Sequence, residues 1–320
     1  MNPALFLADV ERRPAVLRQL ADAIDGGAFD MAVPSRPRRV VLTGMGSSLY
    51  AAMVAAQRLR VAGVTAIAES AASEATLPVD ADDLVIGISA GGTSPETNRL
   101  LGSCAAGHRV VLTNDPTAPI TQLADTVIEL LAQPETGGVA CRSFTHTIVA
   151  LLALEAQLTG EPLQVSSLVR AAADGCDHLL GTRDEWLART VDLLAGPHGT
   201  WLLAPIERIS SGLQGALMLR EGPRRAAVGC ETGDWSHVDV YLTKTLDYRA
   251  MVFPGSRWDG QAAAWMRDRS STIVAVGGEI PGARQTLRFR GDGNPLVALL
   301  VEVVVPELVA ARLWLDYEPD

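Results

Sequence analysis

The chain has 320 residues, and its 27 basic and 37 acidic side chains give a formal net charge of −10 at neutral pH. This acidic balance argues against binding to nucleic acid or to an anionic membrane surface, because both of those partners are themselves negatively charged. The composition is 48% hydrophobic and 20% charged, which excludes a disordered chain and predicts a sizeable core in one large or two medium domains.

The first 38 residues predict a helical lead-in that ends near Pro34 and Pro37. Residues 39–160 then alternate short apolar runs, typical of strands, with segments whose apolar residues have helical spacing. This alternation indicates βα units around a parallel sheet buried on both faces, which is a doubly wound α/β lobe. We predict strands at 39–44, 64–68, 84–89, 108–113 and 126–131, and helices at 49–61, 95–104 and 142–158.

Residues 161–196 predict a helical connection, after which the order of elements begins again. The predicted fold class is therefore α/β, with two similar lobes at residues 39–160 and 197–320. The apolar run at 296–315 is interrupted by two glutamates and a proline, which predicts a buried helix and no membrane span. In the second lobe we predict strands at 201–203, 226–229, 250–253, 272–276 and 286–289, and helices at 208–220, 237–245, 260–269 and 296–315.

The cysteines and histidines predict neither disulfides nor a metal site. The four cysteines are far apart and form no CxxC pair, which is typical of buried residues in a reducing cytoplasm. The five histidines form no HExxH or HxH pattern, and no motif requires another cofactor. The N-terminus also lacks the basic and long apolar stretches of a signal peptide, so we expect a cytoplasmic protein.

Two turns rich in glycine and serine follow strands of the first lobe, GMGSS at 44–48 and SAGGTS at 89–94. Each turn places backbone N–H groups and hydroxyls at the start of a helix, where the partial positive charge suits a phosphate. Ligands of open parallel sheets bind at the carboxyl ends of strands, where both turns lie. Neither turn matches a dinucleotide or P-loop motif. The alternative is purely structural, with Ser94 as the N-cap of a helix that begins at Pro95.

These turns, read as TGMGSS and ISAGGTSPET together with the stretch PETGGVACRSFT, resemble the sugar isomerase (SIS) domain. Over about residues 39–290 the chain is similar to proteins with two SIS domains, which include the isomerase module of glucosamine-6-phosphate synthase, phosphosugar isomerases, amino-sugar-phosphate deaminases and deglycases. The resemblance implies two SIS-type lobes, a homodimer with a shared active site, and a ligand of the hexose or hexosamine 6-phosphate class. It implies that the ligand contacts Gly46, Ser47, Ser48, Ser89, Gly91, Gly92, Thr93, Ser94, Ala140 and Arg142.

Two stretches of the second lobe resemble the catalytic pattern of the family, QGALMLRE at 214–221 and GDWSH at 233–237. The resemblance implies that Glu221 moves a proton between C1 and C2 of the sugar, and that His237 opens the ring from the partner subunit. Taken alone, Glu221 would be a surface helix residue and His237 an exposed or structural histidine. The residue types suit the chemistry, because a partly buried carboxylate has a raised pKa and an imidazole titrates near neutrality.

Several residues depart from the family pattern. Gly91 stands where the phosphate loop has a serine, Met218 and Arg142 replace lysines, and the tail LWLDYEPD diverges and contains no lysine. A glutamine-dependent synthase is therefore not expected, and Lys244, the only lysine, matches no family position. The leading hypothesis is an aldose–ketose phosphosugar isomerase or an amino-sugar-phosphate deaminase. A deglycase of 6-phosphorylated sugar–amino acid adducts and a non-catalytic sugar-phosphate sensor remain alternatives.

Overall fold

The computed structural model describes residues 1–75, 77–104 and 106–316 and contains two sheets of five parallel strands each. The predicted α/β fold with two parallel sheets flanked by helices is confirmed. The last four residues of the divergent tail lie outside the described residues. No helix in the described part of the chain combines the length and the apolar character needed to cross a membrane.

The chain divides into two compact units, which we name after their sheets. The sheet A unit comprises residues 16–134 and 140–169. The sheet B unit comprises residues 1–15, 135–139 and 170–320. Because both units are discontinuous in sequence, the predicted division at residues 38, 160 and 196 stays a prediction.

Two helices open the chain, α1 (Pro3–Glu11) and α2 (Arg13–Asp25). The second one ends well before Pro34 and Pro37, where the lead-in was expected to end. Gly26 and Gly27 follow it, and Gly27 has a φ of 97°, a left-handed conformation that terminates helices. Residues 26–38 therefore form turns and extended chain instead of helix.

The sheet A unit follows the predicted alternation of strands and helices. Strands β1 and β3 are almost wholly buried, because helices cover the sheet. On one face, Val85 and Val111 pack against Leu100 and Leu101 of the helix that follows β3. The strands are β1 (Arg39–Gly44), β2 (Ala66–Ser70), β3 (Asp83–Ile88), β4 (His108–Thr113) and β5 (Thr126–Glu129), and the helices are α3 (Ser47–Val61), α4 (Pro95–Ser103) and α5 (Arg142–Thr159).

The rest of the chain repeats this order after two helices, α6 (Val165–Gly181) and α7 (Arg183–Leu194). One cluster of its core lies on one face of the sheet, where Trp201 and Leu203 pack with Trp235 and Tyr248. The strands are β6 (Thr200–Ala204), β7 (Ala227–Glu231), β8 (Arg249–Val252), β9 (Thr272–Val276) and β10 (Gln285–Leu287). The helices are α8 (Ile209–Glu221), α9 (Thr232–Trp235), α10 (Asp259–Asp268), α11 (Pro295–Val301) and α12 (Val304–Asp316).

Two predicted helices of this part were wrong in extent. In place of a helix at 237–245, the structure has the short α9 and a 3-10 turn at Asp239–Lys244. Residues 236–238 form a turn, in which the amides of His237 and Val238 both donate to the Asp234 carbonyl. The predicted helix at 296–315 is split into α11 and α12, because Pro306 cannot donate the backbone hydrogen bond that a continuous helix requires.

The strand order positions the candidate ligand site. Sheet A has the order β2-β1-β3-β4-β5, and sheet B has the corresponding order β7-β6-β8-β9-β10. In each sheet the first strand lies between the second and the third, so the chain extends the sheet first on one side of that strand and then on the other. A crevice therefore opens between the carboxyl ends of the first and third strands, which is where open parallel sheets bind ligands. In sheet A those are the ends of β1 and β3.

Candidate functional site

The first glycine-serine turn lies at the carboxyl end of β1. Gly46 is the residue before α3, and it makes no side-chain cap, so the first turn of this helix keeps free backbone donors. Ser47 and Ser48 begin the helix and are half-buried. Among the described residues, no side chain or carbonyl accepts a hydrogen bond from either hydroxyl. The turn thus offers two hydroxyl donors and helix amides at one point.

The second turn, residues 89–94, lies at the carboxyl end of the neighbouring strand β3 and is held in place by the end of β4. The Ser89 amide donates to the Leu112 carbonyl (3.0 Å), and the Asn114 amide donates to the Ala90 carbonyl (2.9 Å). Gly92 has a φ of 62°, and a Cβ there would overlap the side chain of Ala118. These contacts fix the turn before any ligand arrives, which reduces the entropy that binding would cost.

The hydroxyls of this turn differ in their engagement. Ser89 is 8% exposed to solvent, and its hydroxyl makes no hydrogen bond to the described part of the protein. Thr93 is exposed and is also without a hydrogen-bond partner there. Ser94 caps α4 by accepting from the Thr97 amide (3.3 Å), so the predicted N-cap is confirmed. Gly91 is exposed and adds no hydroxyl.

The third stretch that resembles the family, PETGGVACRSFT, contains Arg142, whose side chain does not face a ligand site. Arg142, at the start of α5, is fully buried, and its guanidinium donates to the carbonyls of Ala132 (3.0 Å) and Pro134 (2.6 Å). A side chain enclosed in this way holds the segment 132–134 and does not present its charge to a ligand. We therefore leave Arg142 out of the ligand set proposed below. Ala140 is half-buried and lies two residues before it.

Asn114 is a positioning residue that the sequence analysis missed. Its amide nitrogen donates to the Gln133 carbonyl (2.9 Å), and its amide oxygen accepts from the Ala132 amide (2.8 Å). Through its own backbone it also holds the 89–94 turn, so one residue links that turn to the segment that Arg142 binds. Its place directly after β4, at the same sheet edge as the two turns, was the signal available in the sequence.

In the sheet B unit, Glu221 is the last residue of α8 and is half-buried. Burial raises the pKa of its carboxyl group, and the neighbouring Arg220 offsets part of that increase. The Leu219 carbonyl of the same helix end accepts from the amide of Arg225, two residues before β7. An upward shift is the direction that suits a carboxyl group to general acid–base chemistry.

His237 is exposed and lies on the turn after α9, where its backbone amide donates to the Asp234 carbonyl (2.8 Å). That segment packs through Trp235 on the face of sheet B that carries Trp201 and Leu203. Helix α8 lies on the other face, because a Cβ at Gly215 would be 2.6 Å from a methyl group of Leu202, and successive strand residues point to opposite faces.

The structure therefore places the two predicted catalytic residues on elements that cover opposite faces of sheet B. Within one protomer it does not bring Glu221 and His237 together. The predicted ligand-binding turns, by contrast, are neighbours at one edge of sheet A, because β1 pairs directly with β3.

Two other sequence expectations concern charged groups. Lys244 is exposed, and its amine lies 5.6 Å from the ring centroid of Tyr241, a cation–π contact on the surface. In the described ranges, no group of three His, Cys, Asp or Glu side chains is arranged to hold a metal ion.

Comparison with known proteins identifies the sheet A region. Residues 35–156 match the family model of the SIS domain. Within this range the chain resembles the SIS domain. The matched range contains both glycine-serine turns and the start of α5. The resemblance to the SIS family that the motifs indicated is thereby confirmed.

The curated relatives of this chain include two isomerizing glutamine–fructose-6-phosphate aminotransferases. The one from Aquifex aeolicus is 28% identical over 286 residues, which are 87% of this chain and 48% of the relative. One from Bradyrhizobium diazoefficiens is 25% identical over 341 residues, covering 98% of this chain and 54% of the relative. The chain thus spans about half the length of the curated relatives that it matches.

Several solved structures share the fold of this chain over nearly its whole length. The C-terminal domain of glucosamine-fructose-6-phosphate aminotransferase from Francisella tularensis has a TM-score of 0.80 at 14% identity, covering 97% of this chain and 95% of that one. Tagatose-6-phosphate ketose/aldose isomerase from Escherichia coli has a TM-score of 0.79 at 16% identity, covering 98% and 92%. Glucosamine-6-phosphate deaminase from Thermotoga maritima has a TM-score of 0.71 at 15% identity, covering 98% and 94%.

Proposed function

We propose that the chain binds a hexose or hexosamine 6-phosphate and acts as an aldose–ketose phosphosugar isomerase or an amino-sugar-phosphate deaminase. The observation that carries this proposal is the pair of hydroxyl-rich turns, 44–48 and 89–94, at the carboxyl ends of the adjacent strands β1 and β3. Relatives that share the fold are named as a ketose/aldose isomerase and a deaminase of sugar phosphates, which favours the same ligand class.

The phosphate would be held by the hydroxyls of Ser47, Ser48, Ser89 and Thr93 and by backbone amides at the start of α3. Hydroxyls and helix amides are donors, and a phosphate has three acceptor oxygens, so the groups are complementary. Ser94 would join this set when its hydroxyl is released from its present partners. Gly46, Gly91 and Gly92 would contribute backbone alone.

Glu221 would carry the proton. Its carboxylate takes the proton from C2 of the open-chain aldose phosphate, which gives an enediolate in which the O2 proton moves to O1. Glu221 then returns its proton to C1, which gives the ketose. With an amine at C2, the same transfer through an enolamine gives a C2 imine, which water hydrolyses to the ketone and ammonia. His237 would donate to the ring oxygen and accept the hydroxyl proton during ring opening.

We further propose that His237 acts in a second copy of the chain, within a homodimer. The reason is that Glu221 and His237 belong to elements on opposite faces of sheet B in one protomer. Apolar side chains beside His237 are also exposed, with 58% of Val238 and 62% of Tyr241 accessible, as an interface with another copy would require. The equal strand orders favour a second SIS-type, doubly wound lobe in the sheet B unit.

A ligand panel tests the proposal. The full chain is incubated with fructose 6-phosphate, glucosamine 6-phosphate, a 6-phosphorylated fructose–amino acid adduct and unphosphorylated fructose, and Tm, aldose, ammonia and free amino acid are measured. We expect the phosphorylated sugars to raise Tm and one of the first two to turn over. Turnover of the adduct alone would indicate a deglycase. If none of the phosphorylated sugars raises Tm, the proposed ligand class is refuted.

A non-catalytic sugar-phosphate sensor is the second candidate. It is favoured by the separation of Glu221 and His237 within one protomer and by the missing hydroxyl at Gly91. It predicts phosphate-dependent stabilisation with no turnover of any sugar in the panel.

A further inference from the structure

The hydroxyl of Ser94 has no hydrogen-bonding capacity left. Its proton is donated to the Glu96 carboxylate (2.9 Å), and its oxygen accepts from the Thr97 amide (3.3 Å) and from the Thr97 hydroxyl (3.1 Å). A serine hydroxyl has one proton and two lone pairs, so all three positions are filled. Ser94 can donate to a phosphate oxygen only after its bond to Glu96 breaks.

The Glu96 carboxylate also occupies the position that favours an anion. Glu96 is the second residue of α4, and its carboxylate accepts from its own backbone amide and from Ser94, which together hold its pKa below the usual range. Free amides and the helix dipole favour a negative charge at this end of a helix. The protein's own Glu96 carboxylate thus uses two donors, the Ser94 hydroxyl and the Glu96 amide, that a bound phosphate would need.

A second observation marks the same turn as a ligand site. Ser89 is more than nine-tenths buried, and its hydroxyl has no hydrogen-bond partner in the described part of the chain. The proton and both lone pairs of this hydroxyl are therefore available to a ligand that enters the turn. Ser89 is therefore ready to bind, whereas Ser94 in the same turn is engaged by Glu96.

We propose that Glu96 occupies the anion position of the 89–94 turn in the ligand-free protein and must be displaced before phosphate binds there. This inference rests on the proposed function of the turn as a phosphate site. It makes Glu96 a specificity-determining residue, because its charge opposes anions and leaves the binding of neutral sugar hydroxyls unaffected. Since Gly91 provides no hydroxyl, the engagement of Ser94 leaves Ser89 and Thr93 as the donors available in the turn.

The test measures Kd for inorganic phosphate and for fructose 6-phosphate by calorimetry on the full chain and on two variants, Glu96→Ala and Glu96→Gln. We expect both variants to bind phosphate more tightly, by about tenfold for alanine, which frees the Ser94 proton and removes the charge. Glutamine removes the charge but keeps an acceptor and the side-chain length, so it covers the case in which the alanine variant does not fold.

Glu185→Ala is the matched control, since Glu185 is an exposed carboxylate in the first turn of α7. It should leave Kd unchanged, and fructose without phosphate should bind all variants alike. If the unmodified chain binds phosphate and both Glu96 variants bind it no more tightly, the inference is overturned. If the chain and all its variants fail to bind phosphate or fructose 6-phosphate, the proposed function of the turn is refuted instead.

Discussion

Adding a hydroxyl at Gly91, in the 89–94 turn, is the most direct test of the proposed phosphate site. Gly91 is exposed, and a Cβ built there meets only the Thr93 hydroxyl oxygen, at 3.8 Å, which is ordinary van der Waals distance. Its φ is not positive, so serine can adopt the same backbone. Gly91→Ser should therefore change the free energy of unfolding by less than about 0.5 kcal/mol.

The expected gain in affinity follows from one added hydrogen bond to a charged oxygen. Such a bond contributes about 1.5 kcal/mol, and 1.4 kcal/mol is a factor of ten in Kd. Gly91→Ser should thus lower the Kd for fructose 6-phosphate by about tenfold in a calorimetric titration, with no change for fructose. An unchanged or larger Kd in a variant of unchanged Tm would refute the assignment of this turn to phosphate.

Gly92→Ser is the control, because the two glycines are neighbours with opposite requirements. Gly92 has a φ of 62°, and a Cβ would overlap Ala118, so the variant should lose about 2–5 kcal/mol of unfolding free energy. A Gly92→Ser variant as stable as the unmodified chain would show that the turn is not held as described.

Three further predictions concern the proton carrier, the loop support and acid stability. Glu221→Gln should lower turnover at least ~100-fold while ligand binding persists. Asn114→Ala should lower the unfolding free energy by about 1–3 kcal/mol in urea titrations and weaken fructose 6-phosphate binding, because two hydrogen bonds that hold residues 132–133 are lost. Burial acts to raise the pKa of Asp83, but hydrogen bonds from Arg39, the Asp80 amide and Arg38 outweigh it and bring the pKa to about 2. Asp83→Asn should therefore cost about 2 kcal/mol at pH 7, an effect that disappears as the pH falls from 4 to 2.

Each of these predictions has a contradicting result, and the two carboxylate variants have a matched control. Glu207→Gln, an exposed carboxylate before α8, should keep full turnover, and equal turnover in Glu221→Gln would remove the proposed base. Unchanged affinity in Asn114→Ala would separate the 132–134 segment from the ligand site. Asp82→Asn changes an exposed neighbour and should leave stability unchanged, whereas a pH-independent loss in Asp83→Asn would contradict the linkage.

The sequence predicted the strands of both sheets well, because their signal is local. The runs at 39–44, 108–113 and 272–276 are short, apolar and bounded by polar or glycine residues, and the structure has strands with those bounds. The segment after β7 was harder, since its buried residues Trp235 and Val240 pack against side chains from distant elements. Tertiary contacts of this kind leave no local pattern.

The candidate site also contains residues whose placement the sequence predicts and residues whose placement depends on tertiary contacts. Ser47, Ser89 and Ser94 lie in the turns that follow β1 and β3, so their placement at one sheet edge could be predicted from strand order and turn composition. The burial of Arg142 could not, because it depends on the carbonyls of Ala132 and Pro134 reaching its guanidinium. The opposite-face positions of Glu221 and His237 also require the sheet, since sixteen residues of sequence separation do not specify a face.

The chemistry of the two turns determines how binding there would respond to salt. Their residues supply hydroxyls and backbone amides but no lysine or arginine, and Arg142 is enclosed by carbonyls. Neutral dipoles act over short distances, whereas ionic strength chiefly screens interactions between full charges farther apart. An anion in these turns would therefore stay bound as the salt concentration rises, and its approach to a chain of net charge −10 would gain no long-range attraction.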